Sequence, residues 1–304
     1  MPITVTPSGE ALGARIDGVD LSQPLTSDQK SFIEKVFLDY LVIAISGNPY
    51  GQHELTQFGE LFGDLEISAA KSYHDQQFPH VNILSNIVID GKPLGSPDAG
   101  QVWHTDMSYN CISGRATILH AHKVPSRDGQ SLGNTQFRNM HRAYKALPIS
   151  IRERIDKLEA VHSFEKVWQD MIAKGSKRPA FTEDQRRQKP AVVHPVVLLH
   201  PWTGKRALYV NRGMTESIVG MDKKEGETLL SLIIEHTEKK EFGYSHKWRT
   251  GDTLIWDNCA SIHTATADYD RTMPRHMYRV QVLGNEELYR QRNILLGGRF
   301  HLHA

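Results

Sequence analysis

The amino-acid sequence predicts a mainly β protein in which helices pack against a β-sandwich or jelly roll. Two observations predict this fold class: short apolar runs of strand length recur along the chain, and helical patterns are concentrated near its start and in one segment around 140–190. The 304 residues contain no internal repeat, low-complexity tract or Pro/Ser-rich linker. We therefore expect one domain, residues 1–304, with a partly helical insertion around 140–190.

The predicted strands are short runs of apolar residues. The run at 41–45, Leu-Val-Ile-Ala-Ile, is followed by Gly47 and Pro49 and is typical of a buried strand. Strands are predicted at 3–5, 12–16, 41–45, 116–121, 207–210, 252–256 and 277–283.

Helices are predicted where apolar residues recur at spacings of three and four. We expect Ser27 to cap the first helix, in which Phe32, Ile33, Val36 and Phe37 have this spacing. The other predicted helices cover 53–62, 139–147, 150–158 and 223–236, with Pro148 separating the middle two.

Two polar segments lie between these elements. Residues 86–102 are rich in Asn, Asp, Gly and Pro and predict a long loop of the kind that often forms a lid or a binding loop. Residues 165–190 have few large apolar groups and predict an exposed insertion.

Charge and cysteine content exclude several classes of partner. The 36 Lys and Arg nearly balance the 35 Asp and Glu, so no overall field favours nucleic acid or a membrane surface. The first residues lack the basic start and apolar stretch of a signal peptide. The two cysteines, Cys111 and Cys259, are too few for a disulfide framework. We therefore expect a cytoplasmic protein without nucleic-acid or membrane partners.

Three residues have the types and spacing of a metal site. His104 and Asp106 are two positions apart, so on an extended strand both side chains point the same way. His263, just after a predicted strand, is a candidate third ligand. Two histidines and one carboxylate on one face are typical of non-heme Fe(II) oxygenases. Taken singly, His-x-Asp also occurs in hydrogen-bonded turns, and His263 is compatible with a loop histidine bonded to a carbonyl.

Two arginines indicate an anionic ligand beside that site. Arg275 and Arg279 are four positions apart and share one face whether the segment is a strand or a helix. The apolar residues around them favour a half-buried strand, and an inward guanidinium needs an anionic partner. A dicarboxylate co-substrate and an anionic substrate would supply these partners.

The motifs together identify a family. The chain resembles, over nearly its whole length, the taurine dioxygenase-like (TauD/TfdA) family of Fe(II)/2-oxoglutarate-dependent dioxygenases. The resemblance is carried by Leu-Gly-Ala-Arg-Ile-Asp-Gly-Val-Asp-Leu at 12–21, Phe-Gly-Asp-Leu at 62–65, Trp-His-Thr-Asp at 103–106, Gly-Asn-Thr at 133–135, His-Pro-Val-Val at 194–197, Tyr-Val-Asn at 209–211, Gly-Asp at 251–252 and Trp-Asp-Asn at 256–258.

The resemblance implies a fold, a chemistry and a set of ligands. It implies a double-stranded β-helix (jelly-roll) core and iron held by His104, Asp106 and His263. It also implies 2-oxoglutarate as co-substrate, its far carboxylate bound by Arg275 and Thr135, and O2 as oxidant. The expected reaction is hydroxylation of a small anionic organic acid with release of succinate and CO2. No catalytic residue is expected beyond the metal ligands.

The expected substrate pocket departs from that of taurine dioxygenase. Arg279 matches the arginine that reaches the substrate's acidic group. Ser68 and Lys71 stand where the taurine enzyme has a histidine and a tyrosine, Gly100 replaces an asparagine, and Met214 replaces a phenylalanine. Lys71 would be a second cation, which favours a carboxylic acid over taurine. Because relatives are often dimers or tetramers, a homo-oligomer is expected.

Alternative reactions remain open at this point. The same oxidant could desaturate or rearrange an amino-acid-derived acid, although the carboxylate Asp106 argues against halogenation. From a different class, a zinc hydrolase could use the same three ligands, but it has no evident need for Thr135 and Arg275. A non-catalytic jelly roll is a third alternative, which the complete ligand set disfavours.

Overall fold

The computed structural model describes residues 2–67, 77–96, 100–173, 175, 179–270 and 272–294. The helices are α1 Ser27–Tyr40, α2 Gln52–Glu60, α3 Met140–Ala146, α4 Ile149–Ile155, α5 Phe164–Ala173, α6 Glu183–Gln188, α7 Lys223–Thr237 and α8 Glu286–Ile294. The strands are β1 Thr4–Pro7, β2 Ala14–Asp17, β3 Val42–Ile45, β4 Asn82–Ser85, β5 Val88–Ile89, β6 Lys92–Pro93, β7 Ala116–Lys123, β8 Ser126–Arg127, β9 Gln130–Ser131, β10 Thr135–Asn139, β11 Glu159–His162, β12 Val192–Pro195, β13 Val197–Leu199, β14 Arg206–Leu208, β15 Thr215–Ile218, β16 Gly243–His246, β17 Thr253–Asp257, β18 Ser261–Ala265 and β19 His276–Val282.

A seven-stranded mixed sheet organises the chain. Its strand order is β1-β2-β3-β17-β7-β19-β4, and β2 and β3 are its parallel pair while the other neighbours are antiparallel. Strands from both ends of the sequence therefore lie side by side at the centre. This arrangement brings the segment after β17 close to the segment before β7.

The two faces of this sheet are covered differently. Alternate residues of a strand point to opposite faces, and in β3 Val42 and Ala44 join one core while Ile43 and Ile45 join another. Helices α1 and α2 cover the second face. A three-stranded sheet, β16-β10-β18, packs on the first face, where the rings of Phe137 and Trp256 have centroids 5.6 Å apart. The site described below lies between these two sheets.

The segment between β10 and β16 contains smaller sheets and several helices. Strands β12, β11 and β15 form one sheet, and β13 pairs with β14. Helices α3 to α6 lie in the region where the partly helical insertion is predicted. None of the helices in the described ranges combines the length and the apolar character that a membrane span requires.

Several predicted elements differ in detail from those in the structure. Thr26, not Ser27, caps α1: its hydroxyl accepts from the backbone N–H of Gln29, whose side chain accepts from the Thr26 N–H. Strand β14 ends at Leu208, two residues before the predicted end. The hairpin of β5 and β6 interrupts the predicted loop at 86–102. Helix α8 and strands such as β10 and β18 are absent from the predictions, and helices contribute more than the term mainly β implies.

Candidate metal centre

Two backbone segments bring the predicted metal ligands together. His104 and His263 form an isolated antiparallel bridge, in which each backbone N–H donates to the other residue's carbonyl at 3.0 and 2.7 Å. His263 lies on β18, whose register places it opposite Phe137 of β10. The long-range pairing of the chain therefore fixes the distance between the two histidine backbones.

The side chains of His104, Asp106 and His263 converge on one point. Nε2 of His104 is 3.6 Å from Oδ1 of Asp106, and Nε2 of His263 is 3.7 Å from Oδ2. All three ligand atoms lie within 4.8 Å of one another, and the three residues are buried. These separations are too long for hydrogen bonds. They match roughly the 3–3.5 Å expected between two ligand atoms that share an ion at about 2.1 Å.

The hydrogen bonds and pKa values leave the histidine nitrogens free to coordinate. Nδ1 of His104 is 2.7 Å from the carbonyl of Val102. Because a carbonyl only accepts, Nδ1 carries the proton and Nε2 presents its lone pair. Burial, with His104 nearby, lowers the pKa of His263 to about 3. Both groups are thus suited to bind a metal, which requires the deprotonated nitrogen.

The carboxylate of Asp106 is oriented by residues outside the ligand set. The hydroxyl of Thr117 donates to its Oδ2 at 2.7 Å, and the side-chain amide of Asn258 donates to that hydroxyl at 3.1 Å. Burial alone would raise the pKa of Asp106, but the histidines and Arg279 outweigh it and hold the pKa well below the usual range. Asp106 is therefore an ionised, oriented acceptor. Such supporting contacts are typical of metal sites.

Thr135 lies beside this centre. On β10 Thr135 opposes Ala265, and two positions further along the strand Phe137 opposes His263. Residues two positions apart point to the same face, so the Thr135 side chain lies on the face of Phe137 and His263, about 7 Å along the strand. The buried Thr135 hydroxyl accepts from the indole N–H of Trp248 at 3.0 Å. Its own proton remains available to a ligand oxygen.

Arg275 reaches the same segment from the start of β19. A Cβ at Gly133 would lie 3.5 Å from its Nε, so the Arg275 side chain comes within contact distance of the segment two residues before Thr135. Nε has no hydrogen-bond partner, and within the described ranges no acidic residue pairs with Arg275. Burial lowers the pKa of Arg275. A half-buried cation with no acidic partner in the described part of the chain is suited to an anionic ligand.

Arg279 lies on the same strand, nearer to the metal ligands. It opposes Leu119 and Asn82 in the sheet, and its charge lowers the pKa of both Asp106 and His263. Among the residues that the structure describes, its Nε also has no hydrogen-bond partner. Arg279 is thus a second cation beside the centre.

The other predicted pocket residues have mixed outcomes. Met214 is buried, next to Gly213, where a Cβ would lie 3.1 Å from Cβ of His104. Gly100 is adjacent to the centre, since a Cβ there would lie 3.5 Å from Cε1 of His104. Ser68 and Lys71 lie outside the described residues.

The family is decided by comparison with known proteins. Residues 4–281 match the model of the family described as "Taurine catabolism dioxygenase TauD, TfdA family". The chain belongs to the TauD/TfdA family. This confirms the resemblance seen in the sequence and the predicted 2-oxoglutarate-dependent dioxygenase, whose cofactors are Fe(II), 2-oxoglutarate and O2.

Curated relatives are similar over most of both chains. The 2,4-dichlorophenoxyacetate dioxygenase of Cupriavidus pinatubonensis, described as alpha-ketoglutarate-dependent, is 29% identical, with 93% of this chain and 98% of the relative covered. A sulfate ester dioxygenase of Pseudomonas putida, also alpha-ketoglutarate-dependent, is 29% identical over 93% of this chain and 90% of the relative.

Solved structures agree with this assignment. A putative alpha-ketoglutarate-dependent taurine dioxygenase from Burkholderia xenovorans is 30% identical with a TM-score of 0.76, covering 93% of this chain and 90% of that one. The structure of AAD-2 in complex with Mn(II) and N-oxalylglycine is 26% identical with a TM-score of 0.77, covering 94% and 99%.

Sequence reasoning missed a group of residues in this TauD/TfdA chain that includes Lys189, Tyr109 and Glu66. The ammonium of Lys189, just after α6, lies 4.2 Å from the ring centroid of Tyr109 and 5.2 Å from that of Phe164. Asn110 donates to the carboxylate of Glu66, whose pKa burial raises and the charges of Lys189 and Arg279 lower. The prediction that 165–190 is simply exposed is therefore wrong for Lys189, which is half-buried. Aromatic residues within a charged segment were the available signal.

A second buried cluster lies behind the metal ligands. Nε2 of His200 is 2.8 Å from Oδ2 of Asp257, whose Oδ1 accepts from the backbone N–H groups of Cys259 and Ala260 at 2.7 and 3.0 Å. One ring nitrogen of His200, one carboxylate oxygen of Asp257 and the sulfur of Cys259 also lie within 4.8 Å of one another. They hold the turn between β17 and β18, and therefore the strand that carries His263. The Trp-Asp-Asn motif contained Asp257, but its partner could not be identified from spacing.

Proposed function

We propose that this chain oxidises, by hydroxylation, a small anionic organic acid, with conversion of 2-oxoglutarate to succinate and CO2. The observation that carries the proposal is the buried triad of His104, Asp106 and His263 beside the half-buried Arg275, which has no acidic partner in the described ranges. The two parts of this arrangement are suited to different ligands. The triad is suited to a divalent cation, and the arginine is suited to a carboxylate.

Each residue of the proposed site has a defined role. His104, Asp106 and His263 would hold iron, which when bound supplies the oxidising power for O2 chemistry. Arg275 would grip the far carboxylate of 2-oxoglutarate in a bidentate contact, and the free hydroxyl proton of Thr135 would add a third bond. Both act by fixing the co-substrate's position beside the triad. The buried setting strengthens these contacts because little water competes for them.

The substrate half of the proposed site begins at Arg279. Relatives whose names specify a phenoxyacetate or a sulfate ester share an acidic group on an organic body. We infer that Arg279 binds such a group in this chain and that Met214 contributes apolar surface. Ser68 and Lys71 stay predictions, as do the cytoplasmic location and a homo-oligomer, dimer or tetramer.

The proposed fold follows the same reasoning. A mixed sheet facing the β16-β10-β18 sheet, with the ligands between them, supports a double-stranded β-helix core in a single domain over 1–304. The partly helical insertion around 140–190 would then border the substrate entrance. Nothing in the relatives supports the zinc-hydrolase alternative, and desaturation or rearrangement of an amino-acid-derived acid would use the same site.

The direct test is succinate release by purified protein with Fe(II), ascorbate and 2-oxoglutarate across aryloxy acids, amino-acid-derived acids, sulfonates and sulfate esters. We expect at least one acid to stimulate succinate formation and to be hydroxylated. His104→Ala should abolish the signal, whereas the exposed His53→Ala should not. Succinate formation that survives in His104→Ala would reject the assigned centre.

The two arginines can be separated by binding. Arg275→Ala should weaken 2-oxoglutarate binding at least tenfold, because a charge-assisted contact to a buried carboxylate is lost. Titration of the Mn(II)-loaded protein measures this, with the exposed Arg249→Ala as the matched control. Equal weakening by Arg275→Ala and Arg279→Ala would reverse or merge the roles assigned here.

A further inference from the structure

We propose that Lys189 is a second cation for the acidic group of the substrate, and that Glu66 sets the charge of this pocket so that it takes singly charged acids. This inference rests on the proposed function. It adds two residues that neither the family motifs nor the sequence pattern contain. Lys189 belongs to the insertion, and Glu66 lies beside the strand that carries Arg279.

The position of Lys189 is defined by aromatic rings rather than by an acid. Its backbone N–H caps α6 by donating to Gln185, and its ammonium lies over Tyr109 at 4.2 Å and Phe164 at 5.2 Å. Ring faces attract a cation but leave its N–H groups free to donate elsewhere. Within the described part of the chain, no carboxylate forms a contact ion pair with Lys189. The rings therefore position the ammonium while its N–H groups remain available to donate to a ligand.

The position of Glu66 links it to the same pocket. Its backbone N–H donates to the carbonyl of Gln281 at 2.8 Å, and Gln281 is two residues after Arg279 on β19. The Asn110 amide donates to its carboxylate, and Asn110 is fixed by Nε2 of His194 at 2.9 Å from its carbonyl. Glu66 is therefore tied to the two segments that carry Arg279 and Asp106.

The charges of this half of the pocket do not cancel. Glu66 is within electrostatic reach of Lys189 and Arg279, and burial raises its pKa while these cations lower it. Burial lowers the pKa of Lys189, and Glu66 counteracts that effect. Asp106, the other carboxylate within electrostatic reach of Arg279, belongs to the metal ligands. Among the remaining three groups, two cations and one carboxylate leave one positive charge, which one anionic group would neutralise. A doubly charged group would leave an excess negative charge beside the carboxylate of Glu66.

The aromatic rings next to Lys189 support an acid with an apolar body. Phe164 packs against Tyr109, Trp168 and Phe181 with ring centroids 5.0, 6.2 and 6.1 Å apart. Phe164, Trp168 and Phe181 come from the insertion, whereas Tyr109 comes from the segment that follows Asp106. The Lys189 ammonium lies next to two of these rings, those of Tyr109 and Phe164. An acid bound between Lys189 and Arg279 could place its apolar part against them.

The test is calorimetric titration of protein loaded with Mn(II) and N-oxalylglycine, which do not support turnover. The probes are hexyl sulfate, hexyl phosphate and phenoxyacetate at pH 8. Hexyl sulfate and hexyl phosphate have the same shape, but the phosphate is mostly a dianion because its second pKa is about 6. We expect the wild type to prefer hexyl sulfate over hexyl phosphate.

The two variants should change binding in opposite directions. Lys189→Met keeps most of the side-chain volume over the rings and should raise the Kd for hexyl sulfate roughly tenfold, the effect of losing one charge-assisted hydrogen bond. Glu66→Gln keeps an acceptor for Asn110 and should lower the Kd for hexyl sulfate about threefold and that for hexyl phosphate more. The remote, exposed Lys223→Met should change neither.

Other results would overturn the inference. If Glu66 and Lys189 merely fasten the insertion to the core, both variants would weaken hexyl sulfate binding to a similar extent. Unchanged binding in Lys189→Met, or a wild type that binds none of the three probes, would equally reject the proposal. Failure of the wild type to bind Mn(II) and N-oxalylglycine would instead reject the proposed function, and both variants must retain that binding.

Discussion

Two buried clusters of histidine and aspartate lie a few residues apart in this fold, yet only one of them has a hydrogen bond between its histidine and its aspartate. In the cluster of His200 and Asp257, both ring nitrogens and both carboxylate oxygens have close partners. In the cluster of His104, Asp106 and His263, the facing atoms are 3.6–3.7 Å apart. Histidine and aspartate thus form two kinds of cluster. In the cluster of His200 and Asp257, called the saturated cluster below, every side-chain polar atom has a hydrogen-bond partner. In the cluster of His104, Asp106 and His263, called the open cluster, the facing atoms are not hydrogen-bonded to one another.

The tautomers explain the difference. Nδ1 of His104 must donate to a carbonyl, which leaves the lone pair of Nε2 free. Nδ1 of His200 accepts from the backbone N–H of Thr203 at 3.1 Å, so its Nε2 carries the proton and donates to Asp257. Burial raises the pKa of Cys259 far above its usual value, so its sulfur stays a thiol. The metal ligands are therefore distinguished from the other cluster by their free nitrogen lone pairs and not by their residue types.

The largest expected effect separates the clusters by metal binding. His104→Ala should leave no measurable Mn(II) binding, because only two of the three protein ligands, Asp106 and His263, remain. The metal-free protein should nevertheless remain folded, since the ring makes one hydrogen bond, to a carbonyl. Mn(II) titration and chemical denaturation measure the two quantities. Retained Mn(II) affinity would mean that the ion binds elsewhere.

The opposite change is expected in the saturated cluster. Asp257→Asn should lower the free energy of unfolding by roughly 1–3 kcal/mol, because an amide has one accepting oxygen where Asp257 accepts on two. Asp106→Asn is the matched control and should cost less in the metal-free protein. Urea denaturation checks this pair, and a larger loss in Asp106→Asn would invert the comparison.

A moderate effect is expected where the two clusters meet. Thr117 receives a hydrogen bond from Asn258 of the β17–β18 turn and donates one to Asp106. Thr117→Val removes both bonds with little change in volume and should weaken Mn(II) binding roughly tenfold. Thr6→Val on the exposed face of β1 is the control. No change in affinity would show that Asp106 is oriented without this link.

The smallest effect concerns the thiol of the saturated cluster. Cys259 is buried and protonated, whereas Cys111 is exposed. A thiol reagent should therefore modify one cysteine in the native protein and two after denaturation. Rapid modification of Cys259 in the native state would contradict the closed packing of this cluster.

Sequence reasoning could anticipate the open cluster but not the saturated one. His104 and Asp106 are local neighbours, and ligand types at that spacing carry a chemical meaning. The partner of Asp257 depends on where β13 and β14 place His200, which no periodicity encodes. The same limitation explains Lys189, because the polar segment around it gives no indication that its ammonium rests on Tyr109 and Phe164.

The fold divides in a similar way. The central strands β3, β7, β17 and β19 each contain several apolar residues, and each lies close to a segment that the sequence predicts as a strand. Strand β10 is more polar, with Thr135 and Arg138 in it, and its strand character depends on pairing with β16 and β18. The sequence predicts the cap of α1 one residue late, at Ser27 instead of Thr26, because both are good capping residues.

Anomalous diffraction at the iron edge, from crystals of this protein grown anaerobically with Fe(II), tests the central claim most directly. We predict one iron peak per chain, about 2.1 Å from the nearest atoms of His104, Asp106 and His263, and no peak at His200 and Asp257. Iron bound at His200 and Asp257, or an empty position among the three open ligands, would contradict the account.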